Sequence, residues 1–229
     1  VVLLAGIVLG NAMAVLIPAV RLGAVFICNL FVLLLVAVPA PGMAETCFSD
    51  SPSKRAGEPV TAEVDISNLT TSQYKDLKTL FTSLQGNWQG TVQETVCGGT
   101  INAVKKKVHA YKVEPEISFE RSQTFKLEST WRSPDRKTSR IENMELILKQ
   151  DRLRLNVDAA AGEVKLIKAA DNFLVFLDKN NFRNQAGGVV SQENVRSLAY
   201  TPHSLTIEYR LYTNGRLVSF SVWDLSRKR

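Results

Sequence analysis

Charge is nearly missing from the start of this chain. Residues 1–44 hold one charged side chain, Arg21, between two apolar runs. Histidine and cysteine are also scarce, with two His and three Cys in 229 residues. His109 and His203 stand in no ligand-spaced cluster, whereas a zinc site needs three or four His, Cys or carboxylate ligands. No glycine-rich phosphate loop, nucleotide fingerprint or helix-borne His motif occurs. Ser204 adjoins His203, but neighbours on a strand face opposite ways, so the pair is no catalytic dyad. No metal, cofactor or catalytic residue is therefore assigned. Helical periodicity is also missing between the strand candidates. Parallel strands need such crossovers, so a parallel sheet is not expected.

The apolar start has two parts. Arg21, the run Ala24 to Val38 and the exit Pro39-Ala40-Pro41-Gly42-Met43-Ala44 give a basic start, an apolar core and small residues before a cleavage point. Residues 21–44 are thus expected to be a secretory signal cleaved before Glu45. Residues 1–20 carry no charge and no initiating Met. They read as an apolar segment upstream of a translation start near Val20, the alternative being a membrane anchor through residues 1–40.

The expected mature part, residues 45–229, carries 27 Lys and Arg against 22 Asp and Glu, a net charge of +5. Its only two cysteines are Cys47 and Cys97. In an oxidising compartment an isolated pair reads as a disulfide. Residues 45–70 are polar, with Pro52 and Pro59, and are expected to form an extended arm.

From residue 71 a helix and an antiparallel β-domain are expected. Thr70 or Thr71 caps a helix whose Tyr74, Leu77, Leu80, Phe81 and Leu84 recur at three- and four-residue spacing. Gly86 ends it. From Trp88 the pattern turns to period two, giving eight to ten strands with short gaps. Pro115 separates two of the candidate runs, Val104 to Val113 and Glu116 to Glu120. Asn214-Gly215 marks a type I′ hairpin. Pairing outward from it sets Tyr212 opposite Leu217 and Tyr209 opposite Phe220. A second hairpin, turning at Gln150-Asp151, sets Leu148 opposite Leu153 and Leu146 opposite Leu155. Alternation alone leaves barrel and β-sandwich both open.

Gly86-Asn87-Trp88, placed between helix and first strand, resembles the Gly-x-Trp motif of the lipocalin-like (calycin) superfamily. Arg227 after the last strand is similar to the Arg that packs over the Trp in those proteins. The resemblance implies an antiparallel barrel closed at one end by Gly86, Trp88 and Arg227. It also implies an interior able to hold one small apolar or lipid-like ligand. The wall positions would be Phe125, Leu127, Leu146, Leu155, Tyr209 and Phe220.

The expected function is an exported, non-enzymatic binding protein, periplasmic or secreted from a bacterium. The alternatives are a structural or interaction protein of the cell envelope with a filled core, and an enzyme on a β scaffold. Basic clusters at Lys105-Lys106-Lys107, around Pro134 (Arg132, Arg136, Lys137, Arg140) and at Arg227-Lys228-Arg229 suit an anionic envelope surface. Export and the lack of an aromatic-laced basic strand speak against nucleic acid.

Overall fold

A computed structural model of the chain describes residues 46–62, 68–135, 137–157 and 160–228. The expected leader, Arg136 and Arg229 lie outside the described residues. Thr46–Arg229 forms one compact unit.

A single-turn helix α1 (Pro52–Arg55) precedes α2 (Thr71–Leu84). Ten antiparallel strands follow: β1 (Gly86–Thr100), β2 (Ala103–Glu120), β3 (Thr124–Arg132), β4 (Ser139–Leu148), β5 (Leu153–Val157), β6 (Ala160–Ala170), β7 (Phe173–Arg183), β8 (Val189–Tyr200), β9 (Ser204–Thr213) and β10 (Arg216–Arg227). Each strand pairs with its chain neighbours, and β1 pairs with β10, closing a barrel. Closure leaves no unpaired sheet edge around the ring. The sandwich alternative is thereby excluded.

Helix α2 is set by its start and its stripe. Thr70 is the N-cap, and its side chain and that of Gln73 satisfy each other's backbone N–H groups in a capping box. Leu77, Leu80, Phe81 and Leu84 are all fully buried. They plug the barrel end at which β2 turns into β3. Phe81 stacks on Phe125 at 4.6 Å and meets Phe119 edge-on at 5.5 Å. The other end, holding the β1–β2, β3–β4, β7–β8 and β9–β10 turns, is the mouth.

Residues 46–62 are not simply extended. They cross the outer wall of the barrel as a strap broken by α1. Cys47 is bridged to Cys97, and Asp50 forms an isolated bridge with Arg216. Under the strap, Leu177, Val195, Tyr212 and Leu217 form a second small core outside the barrel. Beside them lies a buried ion pair. Lys179 Nζ stands 4.0 Å from Glu193 Oε2, and both side chains are at most 4 % exposed. Glu193 accepts from Ser51 Oγ and from the Ser53 amide, each at 3.2 Å.

The β9–β10 hairpin departs from the sequence expectation in one respect. Asn214 and Gly215 take positive φ, as a type I′ turn requires, and Tyr212 does pair with Leu217. A register shift between Leu217 and Ser219 then moves every later pair by one. Tyr209 faces Ser221, and Phe220 faces Arg210. A one-residue slip exchanges the two faces of a strand. Phe220 therefore lies on the outer wall, packed against the core under the strap. Its assignment to the interior is corrected.

Candidate ligand site at the barrel mouth

The barrel interior has an apolar floor and a polar upper half. Phe125, Leu127, Leu146 and Leu155 face inward, each at most 3 % exposed. They belong to one packed cluster continuous with α2, Trp88 and Trp223. Leu146 pairs with Leu155, and Leu148 with Leu153, in the register read from the sequence.

Towards the mouth the inward positions change character. On β3 they are Ser129 and Trp131, and on β4 Glu142 and Arg140, paired directly across from them. On β7 and β8 they are Asp178, Asn194 and Arg196, and on β9 Tyr209. β1 contributes Glu94 beside His109 of β2. Solvent exposure climbs along this wall. Asp178 and Arg196 are 12 % and 14 % exposed, whereas Glu142 and Arg140 reach 41 % and 44 %. The upper half thus communicates with solvent at the end opposite α2.

Two linked networks hold these groups. Asp178 accepts from Arg196 and, at 2.7 Å, from Asn194 Nδ2; Asn194 Oδ1 accepts from the Tyr209 hydroxyl at 2.8 Å. Arg196 also lies over the Tyr209 ring at 4.9 Å. Arg140 donates to Glu94 through both terminal nitrogens, at 3.2 and 3.3 Å. Its guanidinium stacks 3.5 Å above Trp131. Trp131 in turn meets Trp223 edge-on at 4.9 Å and Tyr111 at 5.2 Å. Arg140, which the sequence groups with the basic cluster around Pro134, lies at the start of β4 and points into the lumen, because it pairs with Trp131.

Electrostatically the mouth is close to balanced. Arg140 and Arg196 face three carboxylates, Glu94, Glu142 and Asp178. Desolvation raises the Glu142 carboxyl above its ordinary value, with Arg140 and Arg196 opposing and Glu94 reinforcing the rise. Burial raises the Tyr209 phenol in the same way. Among the described residues, two buried polar atoms on this wall have no hydrogen-bond partner: Trp131 Nε1 and Ser129 Oγ. A buried polar group left unpaired costs roughly 1–3 kcal/mol, so each marks a place where a partner is wanted.

At the closed end, the Trp88 indole N–H donates to Leu84 O at 2.9 Å, and Arg227 lies 4.7 Å from the Trp88 ring. Gly86 takes a φ of +125°, and a Cβ there would come within 3.0 Å of the Arg227 guanidinium. Arg227 thus lies against both Trp88 and Gly86. Elsewhere, Ser204 Oγ pairs with Thr201 Oγ1 at 2.6 Å. Among the described residues no group of three His, Cys, Asp or Glu side chains is arranged to hold a metal ion.

No family model matches the chain, and no curated protein matches it. Solved structures do. A protein of the DUF3598 family from Nostoc punctiforme is 13% identical, with a TM-score of 0.42. The match covers 64% of this chain and 48% of that one, so the chain spans about half of that protein's length. EF1p2_mFAP2b bound to DFHBI is 7% identical, with a TM-score of 0.36 over 66% of this chain and 98% of that one. These likenesses carry no functional argument. The strand register itself defines the class: a ten-stranded antiparallel barrel with an N-terminal helix, resembling the lipocalin-like superfamily.

Proposed function

We propose that the protein is an exported, non-enzymatic carrier of a small, largely apolar ligand held in the upper half of the barrel. The unpartnered Trp131 Nε1 and Ser129 Oγ, buried beside the Trp131–Trp223 pair, carry this reading. The apolar part of the ligand would rest on the two indoles, with the packed cluster around Phe125 and Leu146 as its floor. Its polar part would accept from Trp131 Nε1 and exchange a hydrogen bond with Ser129. Near-balance between the two arginines and three carboxylates favours an uncharged, hydrogen-bonding polar group over a strong anion. The expected leader and the Cys47–Cys97 disulfide support export, since such bridges persist in oxidising compartments. The form of the expected leader supports a bacterial periplasmic or secreted location.

Mass spectrometry of small molecules extracted from natively purified protein tests this directly. A single co-purifying amphipathic species is expected. Its readdition should quench tryptophan fluorescence, and Trp131→Phe should weaken binding about tenfold, the loss of one hydrogen bond in a desolvated site. Protein that carries no such molecule and shows no response to a panel of fatty alcohols, acids and sterols would end the reading. The filled floor would then favour the envelope-structural alternative.

A further inference from the structure

The β1–β2 ribbon overruns the barrel wall. β1 pairs with β10 only as far as Val96, and β2 pairs with β3 only from Lys112 onward. Beyond these points Cys97–Thr100 and Ala103–Tyr111 pair along the ribbon alone. From Thr95 to Val113 there is no acidic residue, and there are four lysines: Lys105, Lys106, Lys107 and Lys112. The apolar side chains of the ribbon are exposed, with Ile101 at 60% and Val108 at 64%. Val96 and Val104 are exposed as well. At the same end of the barrel the adjoining β3–β4 side adds Ile141, and the β7–β8 hairpin, farther round the ring, adds Phe182 and Val189. Of the eight large apolar side chains exposed among the described residues, only Ile167 lies elsewhere.

Lysines on an unpaired strand edge discourage strand addition, which accounts for part of the pattern. It does not account for valines and isoleucine left in water among them. Clustered exposed apolar groups mark an interaction surface. Apolar side chains that enter a headgroup layer, beside lysines that meet its phosphates, are what an anionic bilayer recognises. The register adds an orientation. Val104, Lys106 and Val108 share one face, while Lys105 and Lys107 project from the other, opposite Gly98 and Val96. With lysines on both faces the ribbon meets the surface tip-first, Ile101 leading, rather than lying flat.

We propose that the overrunning β1–β2 ribbon docks the barrel mouth on a lipid bilayer carrying anionic headgroups. This rests on the ribbon alone and holds whatever the lumen carries. The test is amide hydrogen exchange of the full chain with vesicles of phosphatidylglycerol and, separately, of phosphatidylcholine. The readout is local, so any attachment through residues 1–45 leaves the contrast intact. Protection of residues 96–108 is expected on phosphatidylglycerol only, fading as salt is raised. Replacing Lys105, Lys106 and Lys107 together by Ala should raise the lipid needed for that protection about a hundredfold, each Lys being worth about fivefold at such a surface. Ile101→Asp should abolish it, and both variants should keep the thermal transition of the parent. Equal protection on the two lipids, or an unchanged response in the triple variant, would overturn the proposal. So would ribbon protection without lipid that grows with protein concentration, which would make the surface a contact between copies of the chain.

Discussion

The guanidinium of Arg227 covers the Trp88 ring at 4.7 Å while its two terminal nitrogens donate to Gln85 O at 2.7 Å and Ser83 O at 2.6 Å. One side chain from the last strand thus satisfies carbonyls at the end of α2, which would otherwise lack partners. It also seals the indole that starts β1. Arg227→Ala is expected to cost about 2 kcal/mol, combining the cation–π contact and the charge-assisted hydrogen bonds. Arg227→Lys should recover less than half, because a point ammonium cannot span two carbonyls and stack at once. Urea unfolding followed by tryptophan fluorescence measures both.

The strap is expected to depend on Glu193 more than on any exposed contact. Its carboxylate is buried against Lys179 and takes hydrogen bonds from Ser51 and Ser53. Among the described residues, Glu193→Ala leaves the buried Lys179 ammonium with Ala62 O, at 3.4 Å, as its acceptor. Breaking a buried pair from one side costs roughly 3–5 kcal/mol. The variant should unfold at lower denaturant, and trypsin should nick it faster after Lys54 and Arg55. The double change Lys179→Met, Glu193→Leu should restore most of the loss. Unaltered trypsin sensitivity in Glu193→Ala would show that the disulfide holds the strap by itself.

Where the sequence was legible, one side of an element was wet and the other dry. Helix α2 shows its stripe and its cap openly, and the β4–β5 hairpin its alternation. β8 was not legible. Its inward residues Asn194 and Arg196 are polar because they line the mouth, and its outward residues Ser191 and Glu193 are buried because the strap covers them. Both faces therefore contradict the oil-in, water-out rule that a period-two reading relies on. β2 looked like two strands because Pro115 falls within it; the strand runs through, with Pro115 opposite Ser129. Phe220 was misplaced because a bulge leaves no trace in composition. The candidate site was hidden for the same reason as β8: its members are polar residues scattered over six strands, gathered only by closure of the barrel.

Glu142 should give stability a measurable pH dependence. Its folded value is raised above the ordinary 4.5. At lower pH both folded and unfolded chains hold the proton. As pH rises past 4.5 the unfolded chain releases it first, so stability falls until the raised folded value is passed and then levels off. Glu142→Gln removes this fall. The variant is expected to match the parent in acid and to exceed it at neutral pH. With 41 % of the side chain in solvent, the gain should stay below about 1 kcal/mol. Parallel thermal melts from about pH 4 to about pH 8 decide it; a variant less stable at neutral pH would mean that Arg140 and Arg196 outweigh desolvation.

The seam between β1 and β10 tolerates no side chain at Gly90. A Cβ there would lie 2.0 Å from Asp224 O and 3.0 Å from Leu225 Cα, all backbone of the facing strand. Backbone cannot rotate out of the way, so Gly90→Ala must push the two strands apart where the first and last strands of the barrel meet. Overpacking typically costs about 1–3 kcal/mol, and a clash with a paired strand belongs at the upper end. Gly162 makes the contrast, since among the described residues a Cβ there meets Leu155 O first, at 3.8 Å. Gly162→Ala should be neutral or should stabilise by roughly 0.5–1 kcal/mol through lost chain entropy. Native-state hydrogen exchange locates the damage: Gly90→Ala should lose protection first along Trp88–Val96 and Ser219–Arg227, while β4 and β5 keep theirs. Uniform loss across all strands would mean instead that the ring opens only when the whole barrel does.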